Sequence, residues 1–162
     1  MRNKHKGFSL IELLIVVAII LIIAAIAIPN LLRSRMAANE ASAVGSLRTI
    51  NTSEVTYSST YPDQGFSPDL ASLGGAAATC ATAGGAAPAG ACLIDQVLAL
   101  GTKSGYTFVA AGTGAIPRVA YTATAAPVTP GQSGQRYFFT DQSGVIRYNP
   151  AAAAGPTDNP LQ

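Results

Sequence analysis

The pattern of apolar and polar side chains begins with a long hydrophobic run. From Phe8 to Ile28 there are 21 residues, and Glu12 is the only ionisable one. A helix that crosses a bilayer needs about 20 apolar residues, so this run is long enough to span one. A carboxylate inside such a segment is costly and commonly functional. We therefore expect Glu12 to have a partner.

A helical pattern continues beyond this run. Apolar side chains recur there at spacings near three, four or seven, with charged side chains between them. The apolar positions are Leu32, Met36, Ala43, Leu47 and Ile50, and the charged positions are Arg33, Arg35, Glu40 and Arg48. Pro29 lies between the two parts, and a proline inside a helix removes one backbone hydrogen bond and predicts a kink. We expect one long helix over residues 8–58, in which residues 8–28 form a transmembrane segment.

Period-two alternation indicates a sheet in residues 102–149. Four strands are predicted, at residues 106–110, 119–124, 137–139 and 145–148. Asp141-Gln142-Ser143-Gly144 joins the last two strands as a hairpin, with a glycine suited to a left-handed position. The amphipathic half of the helix covers the apolar face of the sheet. The predicted fold is therefore α+β, a long N-terminal helix packed on a small antiparallel sheet.

Two further segments complete the predicted organisation. Residues 59–101 form a connecting region with a short helical piece near residues 93–100, and residues 150–162 form a loose tail rich in alanine and proline. The two cysteines, Cys80 and Cys92, lie in the connecting region. If this region is outside the cytoplasm, a disulfide between them is expected, worth roughly 3 kcal/mol as a structural staple.

The composition argues against several classes of function. Before residue 8 the chain carries three basic residues and no acidic one, so residues 8–162 have seven basic and eight acidic residues, a net charge of −1. The basic footprint of a nucleic-acid binder is missing. The single histidine, His5, precedes the apolar run, and no metal-ligand cluster or catalytic motif is apparent. We predict a protein without a cofactor, a metal or an enzymatic activity.

The N-terminal region resembles that of the type IV pilin family, which includes the pseudopilins of type II secretion. The resemblance rests on Lys6-Gly7-Phe8, on the run at residues 9–20 with its glutamate, and on Pro29. It implies that prepilin peptidase removes a leader, residues 1–7, after Gly7. It also implies that the new terminal residue, Phe8, is N-methylated and that Glu12 pairs with the terminal amine of a neighbouring subunit during filament assembly.

The same resemblance implies a structural role. Such a subunit waits in the inner membrane as a single-pass protein with a cytoplasmic N-terminus, an orientation that Arg2, Lys4 and Lys6 favour by the positive-inside rule. It then enters an extracellular pilus, a helical polymer of identical subunits with residues 8–28 in the filament core. Beyond itself, its implied partners are the peptidase, an assembly platform protein and a motor ATPase.

Other interpretations remain open at this stage. An ordinary secretory signal or a plain signal anchor would explain the basic start and the apolar run, but would leave Gly7 and Glu12 without a role. A major pseudopilin shares every N-terminal feature, and the resemblance would then imply a calcium site in a C-terminal loop, where Asp141 and Asp158 are too few and too far apart. An adhesive or DNA-binding minor pilin is a third alternative.

Overall fold

The structure is a computed structural model that describes residues 8–82 and 84–161. The described residues form helices α1 (Leu10–Thr60), α2 (Leu70–Leu73), α3 (Ala77–Cys80) and α4 (Gln96–Ala99). The strands are β1 (Thr102–Lys103), β2 (Tyr106–Thr113), β3 (Ala120–Pro127), β4 (Tyr137–Asp141), β5 (Arg147–Asn149) and β6 (Asn159–Pro160). The predicted leader over residues 1–7, with the predicted cleavage residue Gly7, lies outside the described residues.

The chain divides into two compact units, Met1–Arg35 and Met36–Gln162. The described part of the first unit is the apolar half of α1, in which no side chain is buried and the large apolar side chains are 44 to 75 % exposed. Among the described helices, only α1 is long and apolar enough to cross a membrane, by length and composition. An apolar surface exposed on all sides of a helix is typical of a helix that requires another apolar environment.

The second unit, here called the head, is built around one face of α1. Five apolar side chains of this face, Ala43, Val44, Leu47, Ile50 and Tyr57, are buried. They share one hydrophobic core with the inward-facing side chains of the sheet, which include Tyr106, Phe108, Ala110, Ala123, Ala125 and Phe138. Burial of a large apolar side chain contributes about 1.5 to 3 kcal/mol. The prediction that the amphipathic half of the helix covers the sheet is confirmed.

The sheet is an antiparallel meander in the order β1-β2-β3-β4-β5-β6. It has six strands in the described residues rather than the predicted four, because two-residue strands extend both edges. The predicted hairpin is confirmed: the Gly144 N–H donates to the Asp141 carbonyl over 2.9 Å, and Gly144 adopts a φ of 73°. A positive φ carries little cost for glycine, which has no Cβ.

The C-terminal segment, predicted as a loose tail, is tied to the sheet through Asp158. The Asp158 carboxylate accepts hydrogen bonds from the Asn149 side chain and the Gly155 N–H, and the Asp158 carbonyl accepts one from Arg147. The Leu161 N–H donates to the Ile146 carbonyl over 2.7 Å beside β6. Composition alone does not reveal these contacts. They depend on the position of one carboxylate and on one edge strand, and most of them join residues that are about ten positions apart in the sequence.

The predicted disulfide between Cys80 and Cys92 is formed. Backbone hydrogen bonds reinforce it, since the Cys92 N–H donates to the Gly74 carbonyl over 2.7 Å and the Ala91 N–H to the Ser72 carbonyl over 2.8 Å. Gly74 packs tightly against α4, because a Cβ built on Gly74 would lie 2.4 Å from the Cβ of Ala99. The bridge and these bonds hold a small, alanine-rich region that has few large side chains to pack.

The solvent-exposed side of α1 in the head carries a row of hydroxyl groups. Each donates a hydrogen bond to the carbonyl four residues earlier, at distances of 2.8 to 3.1 Å. The donors are Thr49, Thr52, Thr56, Ser59 and Thr60. Such bonds compete weakly with the helix's own ladder, and they engage hydroxyl protons that would otherwise face water.

We predict that the double variant Cys80→Ser/Cys92→Ser loses up to about 3 kcal/mol of head stability in the chain-entropy view of a short closed loop. Chemical unfolding of the detergent-extracted chain measures the loss. In the unsubstituted protein, thiol labelling under denaturing, non-reducing conditions should detect no free cysteine. Quantitative labelling of both cysteines would contradict the bridge.

Candidate functional site

The N-terminus of α1 carries a hydrogen-bonded carboxylate. The Leu13 N–H donates to the Ser9 carbonyl over 3.2 Å, which makes Ser9 the residue that caps the helix. The Glu12 Oε2 atom accepts a hydrogen bond from the Ser9 N–H over 2.9 Å. This contact is the glutamate half of a capping box, and a negative charge is also favoured at this end of the helix dipole. Glu12 therefore has a partner within its own chain.

This geometry leaves part of the site available. Oε1 of Glu12 has no hydrogen bond among the described residues, and the neighbouring Phe8 side chain is 75 % exposed. The cap holds the carboxylate at the start of the helix, one turn from the residue predicted to carry the terminal amine. The predicted roles of Phe8 and Glu12 in assembly stay predictions.

Pro29 lies inside α1, and the helix continues on both sides of it. Proline has no N–H, so the Ala25 carbonyl loses its usual hydrogen-bond donor four residues on. A kink at this position remains a prediction from the chemistry of proline.

Sequence reasoning overlooked two carboxylates on the buried face of α1. Glu40 was assigned to the polar positions of the helix, yet it is only 8 % exposed. Its Oε1 accepts the N–H groups of Gln135 and Arg136, and its Oε2 accepts the Arg136 Nε over 2.8 Å. Burial alone would raise the pKa of Glu40, but these hydrogen bonds outweigh it and lower the pKa. Glu40 is therefore a stabilising anion.

Glu54 is the second buried carboxylate, and its surroundings differ. It is fully buried, and its two oxygens accept the N–H of Ser67 over 2.9 Å and the hydroxyl of Ser67 over 2.6 Å. Burial raises the pKa of Glu54, and the hydrogen bonds from Ser67 oppose this only in part. Glu54 holds the loop before α2 against the helix, at the cost of burying a group that resists ionisation.

The described residues contain no cluster of three His, Cys, Asp or Glu side chains that could hold a metal ion. The two C-terminal aspartates relevant to the pseudopilin alternative are already engaged. Asp141 accepts hydrogen bonds from Ser143 in the hairpin turn, while Asp158 serves the tail contacts described above. These two carboxylates act as structural acceptors in the arrangement described.

Three comparisons with known proteins relate the chain to pilins or to their N-terminal motif, and one of them locates the similarity at the N-terminus. Residues 2–28 match the family model of the prokaryotic N-terminal methylation motif. The chain is 68 % identical over 40 residues to the type IV wide pilus major component PilA4 of Thermus thermophilus, an alignment that covers 25 % of this chain and 30 % of that protein. No solved structure gives a significant match to the chain.

A second relative is similar to a larger share of the chain. The type IV major pilin protein PilA of Myxococcus xanthus is 38 % identical over 73 residues, which are 41 % of this chain and 33 % of that protein. The alignments thus span about a third of the length of these relatives. A capped apolar helix and a helix-on-sheet head are consistent with the α+β fold of pilins. The chain is thus similar to type IV pilins in its N-terminal methylation motif and in the parts that these two alignments cover.

The two buried glutamates give opposite pH behaviour. The folded protein keeps a proton on Glu54 at pH values above 4.5, where the unfolded chain releases it. The free energy of unfolding therefore falls as the pH rises from 4.5 through the folded-state pKa of Glu54.

Glutamine at position 54 retains an acceptor for the Ser67 N–H without a charge. We predict that Glu54→Gln flattens this fall and raises Tm at neutral pH by roughly 4 °C, the shift that about 1 kcal/mol produces in a domain of this size.

Glu40→Gln is the matched control on the same helix. Because the pKa of Glu40 is lowered, its contribution is present above pH 4.5 and lost as the pH falls through the folded-state pKa. This variant should lose about 1 to 2 kcal/mol at neutral pH, where a charged acceptor of three hydrogen bonds is replaced by a neutral one. Thermal unfolding followed by circular dichroism from pH 4 to 8 checks both variants. Equal losses in both would contradict the assignment for Glu54.

Proposed function

We propose that this chain is the structural subunit of a type IV pilus, cut after Gly7 by prepilin peptidase, N-methylated at Phe8 and polymerised into a surface filament. The observation that carries the proposal is the coincidence of the N-terminal methylation motif with Glu12 held at the start of an apolar helical segment in which no side chain is buried. A cleavage motif, a carboxylate and an unpartnered helix are separate features, and filament assembly requires all three.

The apolar half of α1 supplies the surface for assembly. Before assembly, lipid covers these side chains, with Arg2, Lys4 and Lys6 on the cytoplasmic side. In a filament, a bundle of identical helices replaces the lipid. A repeated contact between two different surfaces of one subunit does not close on itself and generates an open helical polymer. The partners of the proposal are other copies of the chain, the inner membrane, the peptidase, an assembly platform protein and a motor ATPase.

Glu12 provides the charge that selects the register. Inside an apolar bundle an unpaired carboxylate is strongly unfavourable, so the amine of a neighbouring subunit's Phe8 becomes its countercharge. Oε2 of Glu12 is engaged by the helix cap, and Oε1 remains available for this amine. The role is structural, and no catalysis by the subunit is part of the proposal.

The alternatives predict different observations. A major pseudopilin would be encoded beside secretion-channel components and would hold calcium, whereas the described residues contain no three-residue cluster of acidic, His or Cys ligands. An adhesive or DNA-binding minor pilin would be scarce in sheared filaments. High abundance of the chain in sheared surface fibres favours the major pilin over both.

The processing step predicts a defined mass. The mature protein should begin at Phe8 and carry a methyl group on its amine, and a bulky residue in place of Gly7 should block cleavage. Intact-mass analysis of the membrane-extracted chain measures this. A first residue at Ile28 would instead establish an ordinary secretory signal.

The pairing step is tested by two substitutions at one position. Glu12→Ala should be cleaved and inserted normally and leave the head folded, yet reduce the yield of sheared fibres by at least about tenfold, the effect of losing a charge-assisted contact of about 1.4 kcal/mol or more. Glu12→Gln retains an acceptor for the Ser9 N–H but removes the charge.

The two variants separate the roles of the cap and the charge. If Glu12→Gln fails like Glu12→Ala, the charge is the determinant. If Glu12→Gln assembles as well as the wild type, the helix cap is what matters and the proposed charge pairing is wrong. Fibre yield is compared at equal membrane levels of each variant.

A further inference from the structure

A groove runs along the head beside α1. One lobe, a cavity of about 320 Å³, lies against α1 between Ala37 and Arg48 and is also lined by Arg136 and Leu161. A second lobe of about 380 Å³ shares Arg136 and Leu161 with the first. Because they share these two lining residues, the two cavities are neighbours, and together they are here called the α1 groove.

The floor of the α1 groove consists of small residues. Ala37, Ala41 and Gly45 follow one another at intervals of four, so they lie on one side of the helix, and all three are exposed. A Cβ built on Gly45 would have no atom within 4 Å, so no contact inside the head requires a glycine there. Glycine weakens a helix relative to alanine. At this position the absence of a side chain leaves room for a close approach to the helix.

The rim of the α1 groove is cationic. Glu40 is the only acidic side chain that lines it, and both of its oxygens are already engaged by Gln135 and Arg136. The Arg48 side chain is exposed and has no hydrogen bond or ion pair among the described residues. Arg136 contacts Glu40 through Nε only, which leaves its two Nη groups for another acceptor. The groove thus presents guanidinium donors that suit a carboxylate.

One acidic side chain of the head has no partner of its own. All eight Asp and Glu residues lie in the described part of the chain, and there only Asp63 makes no hydrogen bond or ion pair. Asp63 lies at the tip of a turn in which the Gln64 N–H donates to the Tyr61 carbonyl over 2.9 Å. Backbone bonds with Arg118 fix the base of this turn. Asp63 is exposed on a preorganised projection.

Asp63 cannot reach the groove of its own chain. Arg48 precedes Thr60, the last residue of α1, by twelve residues, which is about 18 Å along the helix at 1.5 Å per residue. An ion pair requires the charged atoms to approach within about 4 Å. The unpartnered aspartate and the unpartnered arginine can therefore meet only between two copies of the chain.

We propose that the Pro62–Asp63 turn of one copy docks in the α1 groove of another, with the Asp63 carboxylate bound by Arg48 and Arg136. The turn and the groove are different surfaces, so the contact is head-to-tail and propagates in a filament. The proposal rests on the proposed function, because it assigns a head contact within the polymer. It adds a polar contact between heads to the apolar contact between N-terminal helices.

Cysteine cross-linking in the full-length chain tests the contact directly. In sheared fibres of the double variant Arg48→Cys/Asp63→Cys, oxidation should produce a ladder of covalent multimers on a non-reducing gel. Each single variant has one unpaired cysteine and can yield at most dimers. Fibres of the double variant that give no ladder overturn the proposal. Absence of fibres from the wild-type chain overturns the proposed function instead, so the two failures are distinguishable.

Charge exchange gives a second test. Asp63→Lys and Arg48→Glu should each lower the yield of sheared fibres about two- to fivefold, the range for an exposed ion pair, and the combined variant should recover most of the loss. Asp63→Asn should also lower the yield of fibres. Gln142→Lys is its control, because it changes the net charge by the same amount at an exposed site, and it should leave the yield unchanged.

The remaining outcomes contradict the docking. Loss without recovery in the combined variant shows that Asp63 and Arg48 do not face each other. If Arg48→Glu leaves fibre yield unchanged but reduces retention of the fibres on immobilised DNA, the groove binds phosphate rather than a second copy of the chain.

Discussion

Two carboxylates on the buried face of α1 determine how the loops of the head are arranged. Glu54 accepts a hydrogen bond from the backbone N–H of Ser67, and Glu40 accepts hydrogen bonds from those of Gln135 and Arg136. None of these three donors has a strand partner, and buried backbone groups must be satisfied somewhere. Moving either loop would leave a buried carboxyl group and its backbone donors without hydrogen bonds, which costs more than losing an ordinary contact. The helix therefore fixes the sheet through apolar packing and fixes the loops through the hydrogen bonds of two carboxyl groups.

The regular elements were predictable because each has its own period. Helical spacing of apolar residues predicted one helix to about residue 58, and the helix ends at Thr60. Alternation predicted strands beginning near Tyr106 and Tyr137, where β2 and β4 begin. The strands β1 and β6 were missed because two residues cannot show an alternation. They exist because the edges of their neighbours offer free backbone groups.

The side-chain contacts were less predictable for a different reason. The sequence around a helical glutamate does not show whether its side chain is buried. The donors of the hydrogen bonds to Glu40 lie about 95 residues away in sequence. The cap at the start of α1 did leave a signal, since Ser9 and Glu12 have the S-x-x-E spacing of a capping box. The spacing lies inside the apolar run, where a carboxylate also predicts a partner outside its own helix.

The two halves of α1 reach their environments in different ways. The head half gains stability by removing apolar surface from water. For the apolar half the alternatives are lipid and neighbouring helices, which are about equally apolar, so the exchange between them has little hydrophobic driving force. In the proposed assembly, a polar contact such as the pairing of Glu12 with a neighbouring amine would favour one environment over the other.

The row of hydroxyl groups on the exposed side of α1 has a consequence for hydration. Five serine and threonine side chains there donate to carbonyls of their own helix, so few of their protons are left to bind solvent. Stripping water from a polar group is expensive mainly when its hydrogen bonds are lost, and these bonds are internal. Desolvation of this polar surface therefore costs little free energy. The surface can face water in one state of the protein and be covered by other molecules in another, with little loss of hydration energy.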